Sequence, residues 1–271
     1  MGLLIRWSLV MSLLNCAGLL HAAEEQALVA VWQVHRAVSN DHARVVAACE
    51  AFVTKHADDE FVPAVRCIQS WRLLAAGQTN EAVRLLTTLL DKKGTDVARA
   101  ADEWARAWLT RVDREAVVPA LKEYYKAEVR FPARFEDLGK HPRISGKVTY
   151  PVADRWATGW KYRAIGFEGV PGFAGQKYEL VTNRLGESSD LGDALKLPYG
   201  GGLELSARAV PSAGRMLMQM RFPEGNEQPA ETTVVEQGQR RGDIVVAYVS
   251  PKLVLVRDLL HWKLIPVSRG R

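Results

Sequence analysis

Residues 73–86 read LLAAGQTNEAVRLL and decide how the first half of the chain folds. On both sides of Gly77, apolar residues recur three or four positions apart, which is the period of a helix with one buried face. Gly77 is typical of a helix end, and Asn80 is a good helix N-cap. Ala82 is small enough to let a neighbouring helix approach closely. The stretch therefore predicts two helices joined by a tight turn.

The same helical period continues from Glu25 to about Val129. Groups of polar and turn-forming residues interrupt it, and several contain good N-caps, such as Asn40 or Asp41 and Thr95. The interruptions are Ser39-Asn40-Asp41, Ala57-Asp58-Asp59, Gly77-Gln78-Thr79-Asn80, Lys92-Lys93-Gly94-Thr95 and Val112-Asp113. The pattern predicts about six antiparallel helices arranged as three hairpins.

Residues 24–115 resemble degenerate tetratricopeptide (TPR) repeats. The turn at Gly77 and the corresponding helix starts His42-Ala43 and Glu81-Ala82 carry the resemblance. These starts are about 39 residues apart, against the regular spacing of roughly 34 in that family, so the repeats are TPR-like rather than regular. The resemblance implies a helical stack that binds a partner protein on its concave face. A stack that acts only as a spacer is the alternative.

The composition is that of an ordinary globular chain. Its 271 residues predict about two compact domains, or three small ones. With 48% hydrophobic and 25% charged residues, neither a disordered chain nor a multi-span membrane protein is expected. The net charge of +5 is spread along the sequence, and no basic block is longer than Arg240-Arg241. Nucleic-acid binding usually needs clustered positive charge, so no nucleic-acid partner is expected.

Residues 1–23 have the pattern of a secretory signal peptide. Arg6 precedes an apolar run of about 14 residues, which is short for a membrane-spanning helix of about 20. His21-Ala22-Ala23 follows, before the acidic pair Glu24-Glu25. We therefore expect an exported protein of the periplasm or cell envelope, with membrane contact only through this segment. A segment that is kept as an inner-membrane anchor is the alternative.

Cys49 and Cys67 follow the signal segment and are expected in an oxidising compartment, where disulfides form. Both are equally distant in sequence from Asp58, the centre of the turn between two predicted helices. In an antiparallel helix pair the two thiols then lie at the same level, which predicts a disulfide. Two small buried core residues are the alternative, since free cysteine packs like a small hydrophobe.

A different pattern begins after Pro119. Residues 120–132, ALKEYYKAEVRFP, predict an amphipathic helix halted by proline. Residues 154–163, DRWATGWKYR, and residues 177–182, KYELVT, predict strands. Over residues 117–197 this order is similar to the C-terminal domain of the major pseudopilin of type II secretion systems. The resemblance implies a pseudopilin-like module over residues 116–198, with its helix packed on a small antiparallel sheet.

The resemblance has a departure that affects function. A pseudopilin begins with a prepilin-peptidase site and an apolar polymerising helix, whereas here a signal sequence and residues 24–115 come first. The residues before Leu121 include four charges, which a bundled apolar helix could not bury cheaply. They are Arg111, Asp113, Arg114 and Glu115. We therefore expect a docking module that does not form filaments.

The acidic loop of that family binds calcium, and its counterpart here, residues 186–193, is shorter and out of register. Glu187, Asp190 and Asp193 supply carboxylate oxygens, the ligands that calcium prefers. This loop is the candidate metal site of the sequence. A solvated turn in which one aspartate acts as a cap is the alternative, and no other cofactor is expected.

Asp154, Trp156 and Trp160 belong to the specific part of the pseudopilin resemblance. Asp154 is expected to hold a turn through hydrogen bonds from its side chain to the backbone. Trp156 and Trp160 are an even number of positions apart, which places both on one face of a strand. We expect both to pack in the core.

From Leu203 to Val267 the pattern changes to short strands with tight turns. The expected strands are Leu203–Ala209, Arg215–Phe222, Thr232–Glu236, Asp243–Ser250, Lys252–Arg257 and Trp262–Val267. They predict a small all-β domain over residues 199–271, either a β-sandwich or a partly open barrel. Residues 234–257 also resemble the periplasmic homology region of type II secretion and type IV pilus alignment proteins. The whole chain is thus expected to belong to the α+β class.

The sequence lacks the common catalytic motifs: the nucleophile elbow, the P-loop, the dinucleotide-binding glycine pattern and the zinc-protease helix. A triad assembled from distant residues is recognised by geometry and stays open. The sequence predicts a non-enzymatic, exported assembly or adaptor protein of a type II secretion or type IV pilus-like apparatus, acting through protein contacts. The alternative is a generic extracytoplasmic binding module, including a degenerate hydrolase or a carbohydrate-binding protein.

Overall fold

The computed structural model shows a protein of the α+β class. It describes residues 22–38, 40–166, 176–186, 189–197, 199, 205–212, 215–222 and 231–268. The predicted signal peptide, apart from residues 22 and 23, therefore lies outside the described residues. So do residues 167–175 and 200–204.

Five helices follow one another in the first half of the described chain, and from α2 to α5 each packs against the next. They are α1 (residues 22–37), α2 (His42–Lys55), α3 (Val62–Ala75), α4 (Thr79–Thr88) and α5 (Asp96–Glu128). The short helices α6 (Asp137–Lys140) and α7 (Leu191–Lys196) come later. Within the described ranges, no helix has both the length and the apolar character needed to cross a membrane.

The helix ends largely follow the capping signals. Asp41 accepts a hydrogen bond from the Arg44 amide at 3.0 Å, and Thr95 caps α5 in the same way. Gly77 has φ +76°, a left-handed conformation that glycine adopts without strain, and it ends α3 as predicted. Asn80 is not an N-cap, because α4 begins at Thr79 and Gln78 holds that position.

Helix α5 corrects the prediction of a break at Val112-Asp113. It runs for 33 residues without interruption, passes Pro119 and crosses the predicted domain boundary at residue 115. A single aspartate lowers helix propensity by well under about 1 kcal/mol. Here Asp113 also receives a hydrogen bond from Arg155 at 2.8 Å. Tertiary pairing and burial on both sides of this point outweigh the local preference.

The end of α5 packs on a small hairpin formed by β1 (Lys161–Ile165) and β2 (Lys177–Val181). The strands pair antiparallel, as predicted. Leu121 and Leu180 are fully buried in the core between helix and hairpin. Val129 is the C-cap of α5 and is 73% exposed, so the packed face of the helix ends before it.

Asp154 holds a turn, as predicted: its Oδ1 accepts hydrogen bonds from the amides of Trp156 and Thr158, each at 2.9 Å. Trp160 is buried against α5, directly before β1. Trp156 lies in the turn and not on a strand, so the prediction that both tryptophans share one strand face is wrong. The four-residue spacing indicates a shared face only where the backbone is extended throughout.

The C-terminal part forms one curled sheet of seven strands. The strands are β3 (Ser206–Ser212), β4 (Arg215–Phe222), β5 (Glu231–Val235), β6 (Arg240–Arg241), β7 (Ile244–Val249), β8 (Leu253–Arg257) and β9 (Trp262–Ser268). Their order is β5-β4-β3-β9-β8-β7-β6, and only the pairing of β3 with β9 is parallel among these neighbours.

Both faces of this sheet are apolar at β7, β8 and β9. On β8, Leu253 and Leu255 join the core of the helices, whereas Val254 and Val256 face a second core enclosed by the curl of the sheet. Successive side chains of a strand point to opposite faces, so a continuous apolar run fits a strand that is covered on both sides. The helices and the C-terminal sheet therefore share one hydrophobic core.

Candidate functional site

A cleft of about 500 Å³ opens where the helices, the Trp156 turn and the C-terminal sheet meet. Six cationic and three acidic side chains line it, so positive charge is in excess. Its lining residues are Asp91, Lys92, Lys93, Arg99, Asp102, Glu103, Arg106, Trp156, Arg184 and Arg240. We call it the arginine-lined cleft.

Glu103 is the centre of the cleft. Its carboxylate accepts hydrogen bonds from the guanidinium groups of three arginines, which come from distant parts of the chain. These are Arg184, Arg240 and Arg257. The Glu103 side chain is 13% exposed, and one carboxylate balances only one of the three positive charges.

The electrostatics keep Glu103 ionised. Burial alone would raise the pKa of its carboxyl group, but the hydrogen bond from Arg240 and the charges of Arg257 and Arg240 outweigh burial and lower the pKa to about 2. Arg257 is 1% exposed, and burial lowers its pKa, although Glu103 opposes that effect. Arg184 and Arg240 are 42% and 43% exposed, so they carry the remaining positive charge to the surface of the cleft.

Arg99 and Arg106 continue the cleft along α5, and each is paired with acidic side chains: Arg99 with Asp96, and Arg106 with Asp91 and Asp102. Arg106 donates to Asp91 at 2.6 Å and to the Arg155 carbonyl at 2.7 Å, which fixes its guanidinium at the rim. Arg99 donates to the Gly94 carbonyl at 2.6 Å. Charged hydrogen bonds of this kind hold a side chain in one orientation.

Lys92 and Lys93 complete the mouth of the cleft and are exposed. Within the described part of the chain, neither lysine forms an ion pair with an acidic side chain. Trp156 forms part of the wall, and the Arg184 guanidinium lies 5.6 Å from the centre of its ring. A cation over an indole face is attracted by the ring, which favours this orientation of Arg184.

The turn at Gln237-Gly238 brings β6, and with it Arg240, to the start of α5. Gln237 donates to Asp96 at 3.2 Å. Gly238 has φ +83°, and a Cβ atom at this position would lie 2.8 Å from the Asp96 carboxylate. Glycine suits this left-handed conformation, and a larger residue would also require the Asp96 side chain to move.

The chemistry of the cleft is recognition of anions. Guanidinium groups match the geometry of carboxylates and phosphates, and a fixed cluster of them loses little side-chain entropy on binding. Arg184, Arg240, Arg106 and the two lysines present several donors to one volume. An acidic side chain in this volume would offset the charge that Glu103 leaves unbalanced.

In the predicted calcium loop, both described aspartates pair with other groups of the protein. Asp190 caps α7 through the Asp193 amide at 2.9 Å and also pairs with Arg114 at 2.7 Å. Asp193 pairs with Lys196 at 2.8 Å, and Glu187 lies outside the described residues. Among the described residues, no group of three or more metal-binding side chains converges. Calcium binding in this loop stays a prediction.

Cys49 on α2 and Cys67 on α3 are both buried, and both are free thiols in this structure. Burial raises the pKa of Cys49 to about 12 and raises that of Cys67 as well. A protonated thiol reacts slowly, because the thiolate is the nucleophile. The disulfide stays a prediction for the exported protein.

Sequence reasoning missed the arginine-lined cleft. One local signal exists: Arg99, Asp102, Glu103 and Arg106 are three or four residues apart and share a polar face of α5. The three arginines that bind Glu103 lie 81, 137 and 154 residues from it in sequence. No local pattern indicates that they meet.

No protein-family model, no curated protein and no solved structure matches this chain. A function for this chain is therefore inferred from the chemistry of its described residues.

Proposed function

We propose that this chain is a non-enzymatic adaptor protein of the cell envelope that binds an acidic segment of a partner protein in the arginine-lined cleft. The observation that carries the proposal is the single Glu103 carboxylate holding three guanidinium groups, two of them partly exposed. Clusters of arginine are a recurring means of recognising acidic motifs. The cleft volume of about 500 Å³ suits a few side chains of an extended peptide.

We further propose that the partner belongs to a type II secretion or type IV pilus-like apparatus. The similarity of residues 117–197 to the major pseudopilin C-terminal domain supports this assignment. So does the predicted signal segment, which would export the chain to the periplasm or retain it at the inner membrane. The charges at Asp113, Arg114 and Glu115 support an adaptor that does not polymerise, whereas the predicted cost of burying Arg111 is met in this protein by a hydrogen bond to the Leu259 carbonyl.

A peptide titration tests recognition of acidic segments. The probe is a short peptide of alternating Glu and Gly, and its control replaces every Glu by Gln. Calorimetry should detect the acidic peptide only, with an affinity that falls as ionic strength rises, because exposed charges are screened. Equal binding of the two peptides would contradict the proposal.

Matched variants locate the binding to the cleft. Arg184→Gln with Arg240→Gln removes two charges while the buried Glu103 and Arg257 pair stays intact. We expect a loss of affinity of about tenfold or more, since two charge-assisted hydrogen bonds disappear. The control is Lys55→Gln with Arg84→Gln, which removes the same net charge from exposed positions on α2 and α4. An equal loss in the control would show a general charge effect and refute the cleft.

A pull-down tests whether the partner belongs to a secretion or pilus apparatus. The exported chain is used as bait against envelope extracts, alongside the Arg184→Gln/Arg240→Gln variant. A secretion or pilus component captured by the unaltered chain and lost with the variant supports the proposal. Failure to recover any such component favours the generic binding module. Electron microscopy of the purified chain should show no filaments.

A further inference from the structure

A second pocket, of about 350 Å³, lies near the C-terminal end of α1 and shares no lining residue with the arginine-lined cleft. We call it the aromatic pocket. Four of its eight lining residues carry aromatic rings, two are arginines, and no acidic residue lines it. Its lining residues are Trp32, His35, Arg36, Val38, Trp71, Arg72, Leu197 and Tyr199.

Tyr199 joins the rings of the aromatic pocket into one rigid group. Its ring centre is 4.2 Å from that of His35 and 4.8 Å from that of Trp71, both in edge-to-face orientation. Trp32 packs against the same ring at 6.1 Å. Tyr199 is itself held by its hydroxyl oxygen, which accepts a hydrogen bond from the Trp262 amide at 3.1 Å. Trp32, His35 and Trp71 are 7%, 3% and 7% exposed, so these contacts hold the wall of the pocket in one fixed arrangement before any ligand binds.

Arg72 is fixed in the wall of the pocket. Its guanidinium donates to the carbonyls of His35 at 2.6 Å and Val38 at 2.8 Å, at the C-terminal end of α1. Its Nε donates to His35 Nδ1 at 3.1 Å. Carbonyl groups at a helix end lack helical partners, so this arginine completes the end of α1 and is held in place by it.

The charge in the pocket is positive at neutral pH. Burial and the Arg72 charge lower the pKa of His35 to about 3, so the imidazole is neutral and the two arginines alone carry charge. Arg36 is exposed at the mouth. Aromatic boxes that bind ammonium groups need a site without competing cations, and two guanidinium groups exclude that ligand here. An anion is favoured.

We propose that the aromatic pocket binds a flat aromatic ring that carries a carboxylate. The ring would stack on the aromatic wall, and the carboxylate would pair with Arg36 at the mouth. The volume suits a single ring with a short acidic side arm. Such a group occurs in free aromatic acids and at the C-terminus of a peptide that ends in an aromatic residue. This site is independent of the acidic segment proposed for the cleft.

Calorimetry with three small probes tests the chemistry. Phenylacetate should bind, phenylacetamide should bind about tenfold more weakly because it lacks the charge, and cyclohexylacetate should also bind more weakly because its ring is not flat. Equal binding of the amide, or equal binding of the saturated acid, would overturn the proposal. The peptide Gly-Gly-Phe with a free carboxylate distinguishes the sources: tighter binding than phenylacetate indicates a peptide end, and weaker binding indicates a free acid.

Substitutions in the wall of the aromatic pocket test whether the ligand binds there. Arg36→Gln should weaken phenylacetate binding about tenfold, whereas Arg84→Gln, an exposed arginine on α4, should not. Trp32→Leu should weaken all three probes, and circular dichroism verifies that it remains folded. Unchanged affinity in both Arg36→Gln and a folded Trp32→Leu would overturn the site. The Arg184→Gln/Arg240→Gln variant should bind phenylacetate normally, so failure of the cleft and failure of the pocket are distinguishable.

Discussion

Glu103 shows at the scale of one residue how this molecule handles buried charge. Two charges taken out of water cost several kcal/mol each, and their mutual attraction and hydrogen bonds offset that cost only when both are present. Arg257 is almost completely buried beside Glu103, whereas Arg184 and Arg240 are partly solvated. The carboxylate is therefore required for the structure, and the two outer arginines are available for a ligand.

Replacement of Glu103 by Gln should destabilise the fold by about 3–5 kcal/mol, because Arg257 would remain buried without a carboxylate. Urea denaturation followed by circular dichroism measures the change. Glu123→Gln is the control, since the Glu123 side chain is 38% exposed and pairs with Lys126 on the same helix. A loss similar to that of the control would mean that Glu103 is not required to neutralise Arg257.

The lowered pKa values of His35 and His261 predict that the protein loses stability in mild acid. Burial is the largest cause that lowers their pKa values, to about 3 and about 4, and an unfolded histidine titrates near 6.5. Between pH 6.5 and pH 4 the unfolded chain therefore binds protons that the folded chain does not. Stability is complete above pH 6.5 and falls with pH, by about 2 kcal/mol per histidine at pH 5.

Urea denaturation at neutral pH and at pH 5 checks this slope. The variant His35→Gln/His261→Gln should lose less stability than the unaltered chain over the same interval, because glutamine does not titrate. Gln at position 35 keeps an acceptor for Arg72. Identical slopes would show that the acid sensitivity comes from other groups.

At the scale of elements, α5 connects every part of the fold. Its first half packs on the other helices and lines the arginine-lined cleft, the helix also contacts β7, and its end covers the β1–β2 hairpin. A break at Val112-Asp113 would separate these contacts. Continuity of this helix therefore places the TPR-like and pseudopilin-like segments in one structure.

Pro119 lies inside α5 and is exposed, so its ring removes a helical hydrogen bond without a packing benefit. Pro119→Ala should stabilise the protein by about 1–3 kcal/mol, because alanine restores the amide donor and suits a helix. Thermal and urea denaturation measure the gain. Destabilisation instead would indicate that the fold needs the bend that proline imposes.

Thiol labelling tests the predicted disulfide between α2 and α3. If Cys49 and Cys67 form the predicted disulfide in the exported protein, denatured and unreduced material should take up no thiol label. Two labelled cysteines would refute it. In the folded protein, free thiols at these positions should label slowly, since burial raises both pKa values.

At the scale of the whole molecule, the C-terminal sheet is part of the helical core. Trp262 and Leu255 of the sheet belong to the same buried cluster as Trp104 and Leu73 of the helices. Trp108 on α5 also donates its indole N–H to the Leu260 carbonyl at 3.1 Å. Apolar burial on this scale couples the unfolding of both parts.

Trp262→Ala should therefore destabilise the helices as well as the sheet, by about 3–5 kcal/mol, because a fully buried indole is lost. Far-UV circular dichroism and tryptophan fluorescence should show the same single transition. Thr232→Ala, on an exposed position of β5, is the control. Two separate transitions, with the helical one unchanged, would show that the parts fold independently.

Much of the local structure follows from the sequence. The strands β4, β5, β7, β8 and β9, the caps at Asp41 and Thr95 and the turn at Gly77 follow from alternation, capping chemistry and backbone conformation. These are short-range effects that act within a few residues. The continuous apolar run of β8 indicates that both of its faces are buried, but it does not indicate which elements cover them.

The tertiary structure decided the rest. The fusion of two predicted segments into α5 depends on packing and on Arg155, which outweigh the weak preference of Asp113 against a helix. The packing of the sheet on the helices could not be predicted, because apolar burial is non-directional and a local pattern does not specify which surface covers it. The arginine-lined cleft exists because chain topology brings Arg240 and Arg257 to Glu103 from more than 130 residues away. Long-range charge pairing of this kind leaves no periodic trace in a sequence.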